Sequence, residues 1–411
     1  MISNAWPTLA AQRRLAELLS PVSPETFFND YWEKRPLVLS HQDPDFLGRF
    51  FTVRMFTELL EQRHLRFPGV RIFLNRQETP SKEFTATTII GMEQVSGVVD
   101  SFAIWEHYHR GATIHVIGLE RMSGSLRRLT DDLESEFGFP LHATAFLTPQ
   151  SADNVPAHED PSDFLILQIG GEKRWRVWGP VQRTGASSES RISDDRPSQL
   201  TSEEPLLDVN LSAGDVLYVP TGFYHQAITS GRYSLHLTLV INPYRWFDVV
   251  GGSVRDALAQ LRAHPRFQQA LPSDPQSPQA RQQFLDLMSD LRRAILPDQG
   301  LRIMDRHLLA GKYPARPGQI LDLTRLPGLS LGSKVKVRVQ FAYQLVEDQE
   351  NLSLMFHNKQ LIFPLFVKPS LEYILRATIL EVGAIEGGLG DDEKLALARR
   401  LLMEGFLTFV E

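Results

Sequence analysis

The segment that most constrains this chain is Gly214-Asp-Val-Leu-Tyr-Val-Pro220-Thr-Gly222-Phe-Tyr-His225. Gly214 permits a turn into a short apolar strand. Pro220 and Gly222 end that strand and bend the chain, so that His225 is presented at the start of the next one. The surrounding sequence, from about Arg71 to Pro243, has the same texture: short apolar strands alternating with Gly, Pro, Ser and Asp clusters, as in an all-β barrel or sandwich. The strands expected are Arg71–Leu74, Ala112–Ile117, Ala143–Leu147, Phe164–Ile169, Arg174–Trp178, Val216–Val219 and Ser234–Ile241. One helix is expected among them, Gly124 to Phe137, with Leu126, Leu129 and Leu133 on one side. The polar, apolar-poor stretch Gly185 to Glu204 reads as an insertion between two strands.

Both flanks are more helical. Pro24 to Leu60 reads as helix, short strand, helix; Phe27, Phe28, Tyr31 and Trp32 recur at helical spacing and Pro36 stops the pattern. After Pro243, helical apolar spacing covers Val249–Arg262, Gln279–Ile295 and Leu301–Ala310, with a Pro- and Ser-rich loop over Leu271–Pro278. From about Gly318 strands (Lys334–Gln344, Leu352–Phe356, Gln360–Pro364) mix with helices (Ser370–Thr378, Asp391–Glu404), and Leu407–Val410 forms a last short strand. A chain of 411 residues is longer than one hydrophobic core usually holds, so two or three domains are expected.

Composition narrows the chemistry. With 42% apolar and 22% charged residues the profile is that of an ordinary soluble protein. No membrane span and no secretory signal is legible, and a cytoplasmic location fits. The absence of cysteine rules out disulfides, thiolate chemistry and Cys-ligated metal centres, so any metal sits on His, Asp or Glu. A net charge of −6 argues against a protein that coats nucleic acid.

His158 and Asp160, in Pro156-Ala-His158-Glu-Asp160, are two residues apart, and on an extended strand both point to one face. An imidazole and a carboxylate converging from one strand supply two of the three ligands of a facial iron site, and His225 beyond its bend supplies the third. The bland alternative is three unrelated polar residues on a β-rich surface. A second His-X-Asp, His41-Gln-Asp43, has no matching downstream motif and reads as loop surface. Three protein ligands leave up to three octahedral positions, enough for a bidentate 2-oxo acid and O₂ on iron(II), whereas zinc hydrolases favour a tetrahedral site.

Downstream, Phe164 to Ile169 is apolar on both faces, as in a buried strand, and Gly170-Gly171 is expected to form a tight hairpin. In the return strand Lys173, Trp175 and Val177 share one face. If that face looks inward, the Lys173 ammonium lies inside the barrel and would pair with the distal carboxylate of 2-oxoglutarate; otherwise it snorkels beside the hairpin. In Ser234-Leu-His236-Leu-Thr238-Leu239, Ser234, His236 and Thr238 line one side and leucines the other. The polar side either faces the cavity, where it would hydrogen-bond the co-substrate, or faces solvent on an edge strand. The remaining histidines, His64, His107, His109, His115, His142, His264, His307 and His357, read as surface or satisfied core residues.

Taken together, His158-X-Asp160, Leu167-Gln-Ile-Gly-Gly-Glu-Lys173-Arg-Trp175-Arg, Gly214 to Ala227 and Ser234-Leu-His-Leu-Thr238 resemble the JmjC-type ribosomal oxygenases: the bacterial ribosomal-protein arginine hydroxylases and the eukaryotic nucleolar histidyl hydroxylases. Phe28-Asn-Asp-Tyr-Trp-Glu-Lys-Arg-Pro-Leu37, Gly111-Ala-Thr and Leu380 to Val410 extend the likeness over nearly the whole chain. The resemblance implies a mainly β fold with α: a double-stranded β-helix (cupin/JmjC) core with N-terminal helices over residues 1–248, a helical dimerisation region over 249–317 and a C-terminal winged helix over 318–411. It implies iron(II) on His158, Asp160 and His225, with 2-oxoglutarate on Lys173; Ser234 and Thr238 are the further co-substrate contacts expected from the strand alternation if their side faces the cavity. It also implies a homodimer and a protein substrate. Eukaryotic members carry Tyr and Asn where Phe146 and Thr144 stand. The bacterial arginine hydroxylases resemble the chain at Phe146 but carry Arg in place of Lys173. Histidine and arginine therefore both stay open as targets. Acidic residues outnumber basic ones from Gly318 onward, which favours a scaffold or docking role for the winged helix over duplex binding. Two rival readings are an oxygenase of a small molecule or peptide natural product and a non-catalytic dimeric cupin that docks partners. Kinship with JmjC demethylases raises a third, N-methyl-lysine demethylation, for which no histone-reading surface is legible.

Overall fold

The computed structural model describes residues 12–62, 65–150, 152, 155–180, 203–229, 231–296, 301, 318–338, 343–347, 350–356 and 359–410. Its contacts divide the chain into two units, one over Leu9–Pro243 and one over Tyr244–Glu411.

The first unit is built on strands β1 (Leu37–Leu39), β2 (Val70–Leu74), β3 (Gln77–Glu78), β4 (Thr85–Ile90), β5 (Glu93–Val99), β6 (Thr113–Ile117), β7 (Leu141–Thr148), β8 (Asp163–Pro180), β9 (Leu207–Ser212), β10 (Val216–Val219), β11 (Phe223–Ile228) and β12 (Ser234–Ile241). The major sheet runs β1-β10-β8-β12-β7-β6-β2-β3. Its outer face is the apolar set expected of the alternation, including Ala143, Ala145, Leu147, Leu165, Leu167, Leu235, Leu237 and Leu239. It packs on helices Gln12–Leu19, Val53–Glu61 and Gly124–Phe137, which bury Leu15, Phe56, Leu126, Leu129 and Leu133 in the same core. The last of these helices has the bounds read from sequence because its ends are marked. Ser123 accepts a hydrogen bond from Leu126 N, and Gly138 closes the helix in the left-handed conformation.

β8 decides the architecture, and it corrects the expected hairpin. Phe164–Ile169 and Arg174–Trp178 are halves of one 18-residue strand. Its first half pairs with β10 and β12; its second half pairs with β9 and β11. The strand thus leaves one sheet and enters another at Gly170-Gly171. A hairpin would have paired the halves with each other; here each half finds better partners in segments distant in sequence. Gly171 has φ +67°, and a Cβ there would lie 1.7 Å from the Tyr233 carbonyl oxygen, so glycine is required by close approach to β12. The two sheets enclose a second apolar core of Phe164, Ile166, Trp175, Val177, Leu211, Leu217, Val219 and Phe223. Gly214 is needed for a similar reason: φ is +96°, and a Cβ would lie 2.2 Å from Asp43 O.

Several elements were not legible in the sequence. Beside Gly124–Phe137 a further helix, Ser101–His109, breaks the strand series, capped by Asp100. The β4–β5 hairpin and β9 were also missed. Their exposed faces carry Ile89, Ile90 and Leu206 nearby or polar residues, so the two-residue alternation is weak. The insertion Gly185–Glu204 lies outside the described residues apart from Glu203 and Glu204.

In the second unit, helices Trp246–Leu261 and Pro278–Ala294 precede the mixed segment. The expected helix Leu301–Ala310 lies outside the described residues apart from Leu301. The strands are β13 (Lys334–Val337), β14 (Tyr343–Glu347), β15 (Asn351–Phe356), β16 (Lys359–Pro364), β17 (Leu380–Glu381) and β18 (Leu407–Phe409). They form a β17-β13-β18 sheet and a β14-β15-β16 meander, so the span read as one strand, Lys334–Gln344, contributes to two sheets. Helices Lys368–Arg376 and Asp391–Met403 pack on them through Leu371, Ile374, Leu397 and Leu401. Among the described residues no helix is long and apolar enough to cross a membrane.

Candidate metal centre

The bend read from sequence is present. β10 ends at Val219, Gly222 takes φ +77°, and β11 starts at Phe223 with His225 its third residue. Asp163 holds the bend from across the sheet. Its buried carboxylate accepts from Tyr218 OH at 2.5 Å, Thr221 Oγ1 at 2.9 Å and Thr221 N at 3.3 Å. Burial pushes the Asp163 carboxyl upward, and these donors oppose the rise. Tyr218 OH in turn accepts from Glu33 N at 2.9 Å. No sequence signal marked Asp163 as special.

The His158 segment meets this bend through one antiparallel bridge. His158 N donates to His225 O at 3.1 Å, His225 N donates to His158 O at 2.8 Å, and Gly222 N donates to Asp160 O at 3.0 Å. Backbone pairing therefore brings the two histidines side by side, with ring centroids 4.4 Å apart. Asp160 Oδ2 lies 3.1 Å from His158 Nε2 and 3.5 Å from His225 Nε2. One ligand atom from each of the three lies within 4.8 Å of the others. His225 is buried at the base, whereas His158 and Asp160 are partly exposed.

The orientation of the rings suits a cation. His158 Nδ1 lies 2.9 Å from Pro156 O, and His225 Nδ1 lies 3.1 Å from Phe223 O. A carbonyl only accepts, so each Nδ1 carries a proton and each Nε2 is directed at the other ligand atoms; a proton on His158 Nε2 pairs with Asp160, and a bound cation would take that proton's place. Burial drives the His225 pKa down to about 4, aided by the charge of His158. Burial also opposes the charged forms of His158 and Asp160, but their mutual hydrogen bond and charges raise the first and lower the second. A site of two neutral imidazole nitrogens and one carboxylate oxygen fits iron(II) by donor type and number.

The polar interior continues from this centre. Lys173 is 5% exposed and donates to Thr148 Oγ1 at 3.2 Å, so the inward alternative holds and snorkelling does not. Thr148 had not been singled out. β12 lies between β7 and β8, so its polar side is not an exposed edge: Ser234, His236 and Thr238 are all buried on the interior face. Ser234 Oγ accepts from Gln168 Nε2 at 3.0 Å. Trp175 Nε1 and His236 Nδ1 are buried without a hydrogen-bond partner among the described residues. Two of the histidines read as surface or satisfied core residues are corrected: His107 Nδ1 and His115 Nε2 are buried and lack partners among the described residues. His64, His307 and His357 lie outside the described residues. His41, of the second His-X-Asp, hydrogen-bonds Leu18 O at 3.1 Å and stacks on Phe46, and among the described residues it joins no group of three metal-ligating side chains.

Comparison with known proteins agrees with this architecture. Residues 120–248 match the JmjC domain model. The bifunctional lysine-specific demethylase and histidyl-hydroxylase NO66 of Drosophila mojavensis is 29% identical over 231 residues, 56% of this chain and 25% of that protein. Ribosomal oxygenase 1 of Gallus gallus is 29% identical over 273 residues, 64% of this chain and 43% of that protein. The chain thus spans a quarter to under half the length of these curated relatives. Among solved structures, Escherichia coli ycfD aligns over 95% of this chain and 98% of its own, with a TM-score of 0.57 at 17% identity. YcfD in complex with cobalt and 2-oxoglutarate aligns over 95% and 99%, with a TM-score of 0.51 at 15% identity. The shared fold is a cupin-like sheet assembly with helices. Residues 120–248 carry a JmjC domain, and the chain is similar to proteins described as ribosomal oxygenases and histidyl-hydroxylases.

Proposed function

We propose that this chain is an iron(II)- and 2-oxoglutarate-dependent oxygenase that hydroxylates a protein side chain, a histidine or arginine of a ribosomal protein. The observation that carries the reading is the meeting of His158, Asp160 and His225 within 4.8 Å, with the buried Lys173 on the same interior. The relatives described as histidyl-hydroxylase and ribosomal oxygenase support the substrate class. In the reaction one oxygen atom of O₂ enters succinate, formed with CO₂ from 2-oxoglutarate, and the other enters a substrate C–H bond. Iron(II) on the three ligands supplies the redox chemistry that couples these halves.

The residues of the chain perform the rest. Asp160 contributes the single negative charge of the ligand set, and the backbone-anchored imidazoles fix its geometry. Lys173, positioned by Thr148, binds the distal carboxylate of the co-substrate, and Ser234 and Thr238 line the same face. Trp175 and Phe164 pack against His225 and keep water from the base of the site.

The proposal assigns residues 1–248 to catalysis, 249–317 to homodimerisation and 318–411 to a winged helix with a docking role, in the cytoplasm. Support for the dimer comes from apolar side chains exposed on the two helices: Phe247, Val250 and Leu258 on Trp246–Leu261, and Phe284, Leu285 and Met288 on Pro278–Ala294. The deciding experiment follows succinate release with ribosomal-protein peptides and mass spectrometry for a one-oxygen gain. Asp160→Ala should abolish succinate formation; normal turnover in that variant ends the proposal. Turnover that no peptide stimulates would move the substrate to a small molecule.

A further inference from the structure

Asp163 begins β8, just after the segment that carries the ligand Asp160, and its carboxylate reaches Thr221, in the bend that leads to the ligand His225. One buried side chain therefore ties together the two ligand-bearing segments, in parallel with the 3.0 Å bond from Gly222 N to Asp160 O. The group that fixes this carboxylate is the Tyr218 hydroxyl, 2.5 Å from Asp163 Oδ1. Tyr218 stands on β10 opposite Leu165. It is fully buried, its ring met by Phe27 at 4.9 Å and by Trp32 at 5.8 Å, centroid to centroid.

The direction of that hydroxyl is set from outside the residues that match the JmjC domain. Glu33 N donates to it at 2.9 Å. A phenol has a single hydrogen, so an oxygen that accepts from Glu33 has its own hydrogen left for Asp163. Burial and the Asp163 charge push the Tyr218 pKa upward, which keeps the hydroxyl protonated as a donor. Glu33 follows the helical turn Phe27–Tyr31 and has φ +54°, a left-handed conformation that a residue with a side chain adopts at a cost. The domain match starts at residue 120, so a flanking segment reaches the ligand set through two hydrogen bonds, Glu33 to Tyr218 and Tyr218 to Asp163. A charge-assisted bond to a buried carboxylate is among the stronger single contacts a side chain makes, and this one acts on both ligand segments at once.

We propose that Tyr218 is a positioning residue for the metal centre: its hydroxyl, aimed by Glu33 N–H, holds the Asp163 carboxylate that sets the Asp160 and His225 segments against each other. This rests on the oxygenase reading and deepens it. The test titrates the full chain with cobalt(II), followed by calorimetry and by the visible d–d bands, which report the geometry of the ligand set. Tyr218→Phe keeps the ring and removes only the hydroxyl. It should weaken cobalt(II) by about tenfold, the effect of losing a hydrogen bond to a charged group, and change the bands. Leu129→Val, a change in the outer core on helix Gly124–Phe137, is the control for lost stability. It should lower Tm while leaving cobalt(II) affinity within about twofold and the bands in place. Coupling is reciprocal, so in the parent cobalt(II) should slow hydrogen exchange of the Glu33 amide by about fivefold. Parent-like affinity and bands in Tyr218→Phe overturn the inference, as does an equal loss of affinity in Leu129→Val. A Glu33 amide indifferent to cobalt(II) overturns it even if Tyr218→Phe fails to fold. These failures leave the oxygenase reading standing; a parent protein that binds no cobalt(II) brings down that reading and this inference with it.

Discussion

Gly171→Ala tests the crossing of β8 between its two sheets. Alanine at φ +67° costs about 1–2 kcal/mol in backbone strain. Its Cβ would lie 1.7 Å from Tyr233 O and 2.7 Å from Tyr233 C, backbone atoms that no side-chain rotation can remove. The start of β12 must separate from β8, which breaks the 3.0 Å bond from Glu172 N to Tyr233 O, worth about 1 kcal/mol. With the packing lost as the strands part, the sum is about 3 kcal/mol or more. Gly170→Ala is the control. Its Cβ would meet Val53 Cγ2 at 2.8 Å and Tyr233 OH at 3.1 Å, both ends of side chains that can turn away, for a cost of about 1 kcal/mol. Urea unfolding followed by near-UV circular dichroism should separate the variants by about 2 kcal/mol. If Gly171→Ala is no more destabilising than Gly170→Ala, the strand crossing is described wrongly.

Other perturbations probe the rest of the molecule. Asp163→Ala leaves Tyr218 OH and the Thr221 donors unpaired in the interior and should cost about 3 kcal/mol while weakening iron binding, because Thr221 leads into His225; calorimetric iron titration and thermal unfolding check both effects. Glu136 is raised to about 7, because burial outweighs the hydrogen bonds it accepts from the Leu15 and Arg14 backbone. Its folded pKa lies above the ordinary 4.5, so its contribution is complete below pH 4.5 and is lost as pH rises through about 7. Glu136→Gln should therefore raise Tm by about 2 °C at pH 8 and leave it unchanged near pH 4, read by differential scanning fluorimetry. In the second unit, Asp322 pairs with buried Arg338 and accepts from Phe409 N at 3.0 Å and Thr408 Oγ1 at 3.1 Å. Asp322→Ala should cost about 3–5 kcal/mol, and Asp322→Leu combined with Arg338→Met should recover much of it; chemical denaturation of each protein measures the difference.

Some of this molecule was determined by local sequence. The bend at Pro220 and Gly222, the bounds of Gly124–Phe137 and the face shared by Lys173, Trp175 and Val177 follow from backbone sterics, capping and strand alternation, which act over a few residues. His158, Asp160 and His225 could be named because residue type and spacing carry their chemistry, although only the His158–His225 bridge brings them together. Other features depended on partners remote in the chain. Whether Gly170-Gly171 made a hairpin turned on β9 and β11 competing for the second half of β8, and whether Ser234 to Thr238 faced solvent turned on β7 covering its other edge. Asp163, Thr148 and the hydroxyl of Tyr218 have no local signature at all. Burial and hydrogen-bond satisfaction belong to the packed interior, so only the tertiary structure could assign their roles.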